Sequence, residues 1–147
     1  MVDPSRESHG SHRKEESKLR ILVVDDEESV REAICWALEG EHEVIGAGSG
    51  GEALDWFVAA IVPDNPFGIV LTDNTMPGMD GIELTRQIKM LRRATMVGMI
   101  SGDYGVRAAA MEAGASGFLS KPLDVGALRA MVKGFAQVAR AVARQVV

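Results

Sequence analysis

Cysteine is almost absent from this chain, and the single one, Cys35, excludes an internal disulfide and any cysteine-based zinc site. Set among helix-forming residues, it is expected to be a buried small hydrophobe in a reducing compartment, which points to the cytoplasm. Long apolar runs are missing too. None approaches the length of a membrane span, and charges stand at the N-terminus where a secretory signal would need an apolar segment. Nor is there any excess of positive charge. A formal net charge of −5 gives no electrostatic footprint for nucleic acid, so any DNA role would need another domain.

What is present is apolar material, 46% of 147 residues, enough for one domain with a real core and too little for two. Residues 1–18 do not contribute to it. Serine, glycine, lysine, arginine and glutamate dominate there, and such a segment cannot offset its own ordering entropy, so a disordered tail is expected. His9 and His12 fall within it, without the rigid scaffold or further ligands that a metal site needs.

From residue 19 to the end, strand and helix signals alternate five times with short turns between them. Residues 19–24 form an apolar run ending on Asp25 and Asp26, with Glu27 and Glu28 behind them. A helix follows over about 29–38, where Val30, Ala33, Ile34, Ala37 and Leu38 recur at helical spacing. Acids at a helix start complement its dipole, and Asp26 is a candidate cap, but capping accounts for one or two of the four. A weaker strand at 43–46 leads into a helix with Ala53, Leu54, Phe57, Val58 and Ile61 on one face. Trp36 and Trp56 lie off the apolar stripes and read as half-exposed packing residues. The stretch GIVLTDNTMPGMDG, residues 68–81, is a strand buried on both faces that stops on Asp73 and turns through Pro77, Gly78 and Gly81. Next come a helix over 82–91, a strand over 96–100 ending on Ser101, a helix over 106–113, and a strand over 117–120 ending on Lys121 and Pro122. One long helix, 125–147, closes the chain. Such alternation is the signature of a parallel sheet covered by helices on both faces.

Gly46, Gly48 and Gly51 match the spacing of a dinucleotide-binding loop, yet that fingerprint belongs after the first strand. Here the first turn carries acids that would repel a pyrophosphate. A permissive turn is the better reading.

The strand ends define the chemistry. In the order 2-1-3-4-5 the crevice lies between strands one and three, so Asp25 and Asp26 face Asp73 across it, with Ser101 and Lys121 further along the same rim. Three carboxylates there repel one another unless a cation intervenes, and hard oxygen ligands in that number suit Mg²⁺ completed by a phosphate. A lysine and a hydroxyl beyond Asp73 would bond phosphoryl oxygens. Phosphoryl transfer to Asp73 as nucleophile is the chemistry implied.

With ILVVDDEE, LTDNTMPGMDG, MISG and FLSKP, residues from about 19 to 135 closely resemble the receiver domain of two-component response regulators, a flavodoxin-like, CheY-like α/β fold. The resemblance implies that Asp73 accepts a phosphoryl group from a sensor histidine kinase or phosphotransfer protein. It also implies Mg²⁺, with Mn²⁺ able to substitute, held by Asp25, Asp26, Asp73 and the backbone carbonyl of Thr75. Lys121 would pair with the phosphoryl group, the bond before Pro122 would be cis, and Ser101 would swing to the phosphoryl oxygen with Phe118 turning inward behind it. Phe118 lacks the hydroxyl of members with tyrosine, so packing alone must couple it to Ser101. Signal output is expected through the fourth helix, fifth strand and final helix, toward a partner that is neither nucleic acid nor membrane.

Two other readings share parts of this pattern. A haloacid-dehalogenase-type phosphatase needs a second acid two residues after its nucleophile, where this chain has Thr75. A fragment of a larger regulator or hybrid kinase would show the same motifs. The final helix adds one expectation of its own: at 1.5 Å per residue it spans about 35 Å against about 17 Å for a five-residue strand. Leu128, Met131, Val132 and Phe135 should pack on the domain, while Val138, Val142 and Val146 continue a stripe beyond it, suited to a dimer or a target helix.

Overall fold

The computed structural model describes residues 18–145, and side chains as far as Val142. Most of the expected tail, with His9 and His12, and the last stripe residue Val146 lie outside the described residues. Five strands, β1 (Arg20–Val24), β2 (Glu43–Ala47), β3 (Ile69–Thr72), β4 (Met96–Ser101) and β5 (Gly117–Ser120), form one parallel sheet in the order β2-β1-β3-β4-β5, as expected. The helices are α1 (Glu28–Leu38), α2 (Gly50–Ile61), α3 (Gly81–Leu91), α4 (Arg107–Ala113) and α5 (Val125–Gln145), with a 3₁₀ turn, Tyr104–Val106, before α4.

The unbroken apolar runs of β1 and β3 follow from cover on both faces, and the pleat divides their side chains between two cores. Ile21 and Val23 pack with Ile69, Leu71, Ile34 and Leu38 under α1, and with Leu128, Val132 and Phe135 of α5. Leu22 and Val24 pack on the other face with Val70, Ala53 and Phe57 of α2 and Leu84 and Ile88 of α3. A one-residue slip of either strand would exchange the two sets.

Local chemistry sets the helix ends. Ser49 Oγ accepts the Glu52 N–H at 3.1 Å while the Glu52 carboxylate accepts the Gly48 N–H at 3.0 Å. This reciprocal cap explains the glycine loop after β2 and places a carboxylate where a dinucleotide would need its phosphates. Asp80 caps α3 through the Glu83 N–H at 2.8 Å. At α1 the expectation is corrected: the cap position is Glu27, whose side chain makes no capping bond, and Asp26 is exposed. Asp26 is left at the rim because the helix start does not use it.

Three smaller expectations meet the packing differently or in part. Cys35 is half-buried, packed at the margin of the core with its Sγ beside Gly46 of the edge strand β2. Trp36 is 79% exposed and packs little, whereas Trp56 is half-exposed as expected. On α5, Leu128, Val132 and Phe135 are buried and Met131 partly so, while Val138 and Val142 are exposed. Among the described residues no helix is long and apolar enough to cross a membrane.

Candidate functional site

The sheet continues for one residue past its strands. The Asp73 N–H donates to the Val24 carbonyl at 3.0 Å, the Asp25 N–H to Ala47 at 3.2 Å and the Lys121 N–H to Ser101 at 2.9 Å. Asp25, Asp73 and Lys121 are therefore fixed by the ladder at the carboxyl rim, where the order reverses between β1 and β3.

Asp25 and Asp73 are buried, at 1% and 6% exposure, and Asp26 is exposed beside them. One carboxylate oxygen from each of the three lies within 4.8 Å of the others. Lys121 Nζ reaches Asp25 Oδ2 at 3.0 Å and Asp73 Oδ2 at 3.2 Å. Two buried carboxylates sharing one ammonium form a charge-assisted network. Burial pulls the lysine pKa down, but its bonds and attraction to Asp25 and Asp73 outweigh this and hold it above its ordinary value. The remaining oxygens are oriented by backbone: Asp25 Oδ1 accepts the Glu27 N–H at 3.0 Å and Asp73 Oδ1 the Asn74 N–H at 2.8 Å.

The turn after Asp73 is equally determined. The Gly81 N–H donates to the Asn74 carbonyl, and Asn74 Oδ1 accepts the Ile82 N–H, so Asn74 clamps the start of α3 beneath the aspartate. A Cβ at Gly81 would overlap the Asp73 carbonyl oxygen, and only glycine admits this approach. Thr75 is exposed in this turn, and Met76 is tucked into the core beside it. The peptide bond between Lys121 and Pro122 is cis, as expected.

Ser101 is buried at the end of β4, with its Oγ accepting the Asp103 N–H at 3.1 Å. Phe118 pairs with Met99, one pleat back along the sheet from Ser101. It is half-buried, with the ring of Tyr104 edge-on at 5.8 Å and 89°. Sequence reasoning did not single out Tyr104, Asn74 or Arg31, whose Nη1 donates to the Asp25 carbonyl at 2.8 Å. Asn74 was signalled by standing beside Asp73 in a turn, and Tyr104 by being the one tyrosine of the chain. Arg31 had no signal.

The fold and this rim define a class: a doubly wound α/β domain that gathers three acids, a lysine and a hydroxyl at its switch point. A family model for the response regulator receiver domain matches residues 21–133, and the chain belongs to that family. It is 35% identical over 142 residues to the cyclic di-GMP phosphodiesterase response regulator RpfG of Xanthomonas campestris pv. campestris, covering 91% of this chain and 36% of that protein. It is 34% identical over 128 residues to the transcriptional regulatory protein DegU of Brevibacillus brevis, covering 83% of this chain and 52% of DegU. Among solved structures, a CheY-like receiver domain protein from Methanospirillum hungatei superposes with a TM-score of 0.75 at 28% identity, over 85% of this chain and 98% of that one. The chain is thus a two-component response regulator receiver, and membership of this family displaces the dehalogenase-type phosphatase reading.

Proposed function

We propose that Asp73 accepts a phosphoryl group from a phosphohistidine on a sensor kinase or phosphotransfer protein, and that the modified domain controls a downstream partner. The observation that carries this is the shared lysine: Nζ bonds both Asp25 and Asp73, so the cation already stands where a phosphoryl group on Asp73 would place its charge. In the step, an Asp73 carboxylate oxygen attacks phosphorus, the phosphorus–nitrogen bond breaks, and the imidazole leaves as the acyl phosphate forms. Lys121 exchanges an Asp73 oxygen for a phosphoryl oxygen and keeps its bond to Asp25. Ser101 gives up the Asp103 N–H when its hydroxyl turns to the phosphoryl group, and the β4–α4 loop moves with it. Tyr104 belongs to that loop and Phe118 of β5 lies against its ring, which leads output toward α4, β5 and α5.

The three carboxylate oxygens within 4.8 Å fit a small hard cation, and Asp25, Asp26, Asp73 and the Thr75 carbonyl would hold Mg²⁺ or Mn²⁺. When bound, the ion neutralises the acids and lets an anionic donor approach. The rim is a phosphoacceptor rather than an enzyme acting on outside substrates, and the half-buried free thiol of Cys35 suits a reducing cytoplasm. Whatever further domains accompany such a receiver supply the activity of the whole protein. The test is intact mass after incubation with acetyl phosphate: one phosphoryl adduct is expected with Mg²⁺, none in excess chelator and none in Asp73→Ala. An adduct that persists in Asp73→Ala would overturn the assignment.

A further inference from the structure

The ladder that holds the backbone of Asp73 ends there. Its N–H makes the last bond to a neighbouring strand, and from Asn74 onward the chain has left the sheet. Where the carboxylate points therefore depends on what holds the turn behind it.

That turn is held from several sides. The buried Thr72 hydroxyl donates to the Asp73 carbonyl at 2.8 Å, which fixes one edge of the peptide plane between residues 73 and 74. The other edge of the same plane is the Asn74 N–H, which donates to Asp73 Oδ1 at 2.8 Å. Further on, the Asn74 carbonyl accepts the Gly81 N–H at 3.0 Å, and its side-chain Oδ1 accepts the Ile82 N–H at 3.1 Å. The first amides of a helix have no acceptor within it. In α3, Asp80 takes the Glu83 amide and Asn74 takes the two before it, so one residue ties the helix start to the aspartate.

The two oxygens of Asp73 are consequently held unequally. Oδ2 bonds the ammonium of Lys121, which a phosphoryl group on Asp73 would draw away, whereas Oδ1 bonds a backbone N–H that has nowhere else to go. We propose that Asn74 is a positioning residue for phosphoryl transfer: its side chain, by holding the Ile82 N–H, fixes the turn so that its own backbone N–H keeps Asp73 aimed while Lys121 changes partner. This rests on the reading of Asp73 as the phosphoacceptor. Asn74 touches neither donor nor phosphorus, and acts only through Asp73. An alanine at this position would keep the backbone bonds within reach but leave the Ile82 N–H to water, and the turn would lose its outer anchor.

The experiment is a time course of intact mass for the whole chain with acetyl phosphate and saturating Mg²⁺, paired with hydrogen exchange at the Ile82 amide. Asn74→Ala should slow adduct formation by roughly tenfold, within the range expected when a reacting group is misplaced by a fraction of an ångström, and should speed exchange at Ile82. A merely structural role would lower the urea midpoint and leave the rate of the folded protein unchanged. Asn74→Asp keeps an oxygen for the Ile82 N–H at a helix start that favours its charge, so it should recover most of both the protection and the rate. The proposal is overturned if folded Asn74→Ala reacts as fast as the unchanged chain, or if Asn74→Asp regains protection at Ile82 and remains as slow as Asn74→Ala. Failure of the unchanged chain to form an adduct would instead overturn the phosphoacceptor reading itself.

Discussion

The two ends of the sheet are built on opposite plans. At the carboxyl end, Asp25, Asp73, Ser101 and Lys121 stand on residues that finish or follow strands, with backbones held by the ladder. At the amino end, a groove between α1 and α5 takes its polar groups from a turn, a chain entry and the outer stripe of α5, and most are exposed. One end is an acid cluster held by a single cation, the other a row of cations around the buried imidazole of His42. Groups set by a parallel ladder are positioned as rigidly as the core itself, whereas groups on a helix surface keep their rotamer freedom. The first arrangement suits bond-making at one atom, and the second has the looseness of solvated helix surface.

The largest effect expected to break this contrast is at Gly81. Gly81→Ala drives a methyl into the Asp73 carbonyl and should cost about 3 kcal/mol in urea unfolding, with phosphorylation lost in whatever remains folded. A variant with normal stability and normal phosphorylation would show that the turn is not rigid. Next is Lys121→Met, which leaves Asp25 and Asp73 uncompensated. It should lose about 2 kcal/mol, less than a fully buried pair because Lys121 remains partly exposed, and Mg²⁺ should restore much of it.

The two ends should also titrate in opposite directions. The folded-state pKa of Lys121 is raised, so its contribution is complete below the unfolded value of 10.5 and is lost as pH rises through the folded value. His42 has a lowered pKa, so the unfolded chain takes up its proton first. Stability from that group is present above 6.5 and falls as pH drops below it. Urea midpoints against pH should therefore show an alkaline limb that disappears in Lys121→Met and a mild acid limb that disappears in His42→Gln. If either limb survives its substitution, the assignment of that end fails. The smallest effect is at Trp36: largely solvated on α1, Trp36→Ser should change stability by less than about 0.5 kcal/mol.

This contrast also explains how much could be read from the sequence. A buried strand that stops on an acid is a local pattern, and five such runs with short turns leave few topologies, so the sheet order and the rim residues were legible. The amino-end groove was not. Lys18, His42 and the stripe from Arg129 to Arg140 are far apart in the chain, and each alone looks like ordinary solvated surface. Arg31 was missed for the same reason, since nothing near it in sequence points to the Asp25 carbonyl. Propensity made Asp26 a candidate cap, while the geometry puts Glu27 at the cap position.

The edge-on pair of Tyr104 and Phe118 has a practical consequence. Tyr104 is the chain's single tyrosine, so biosynthetic incorporation of fluorotyrosine labels one ring only, and that ring rests edge-on against Phe118. Because residue 118 is itself phenylalanine, no second tyrosine resonance overlaps the probe. One fluorine line would report the packing of Phe118 before and after incubation with acetyl phosphate, and a second line appearing on phosphorylation would show that this contact responds to it.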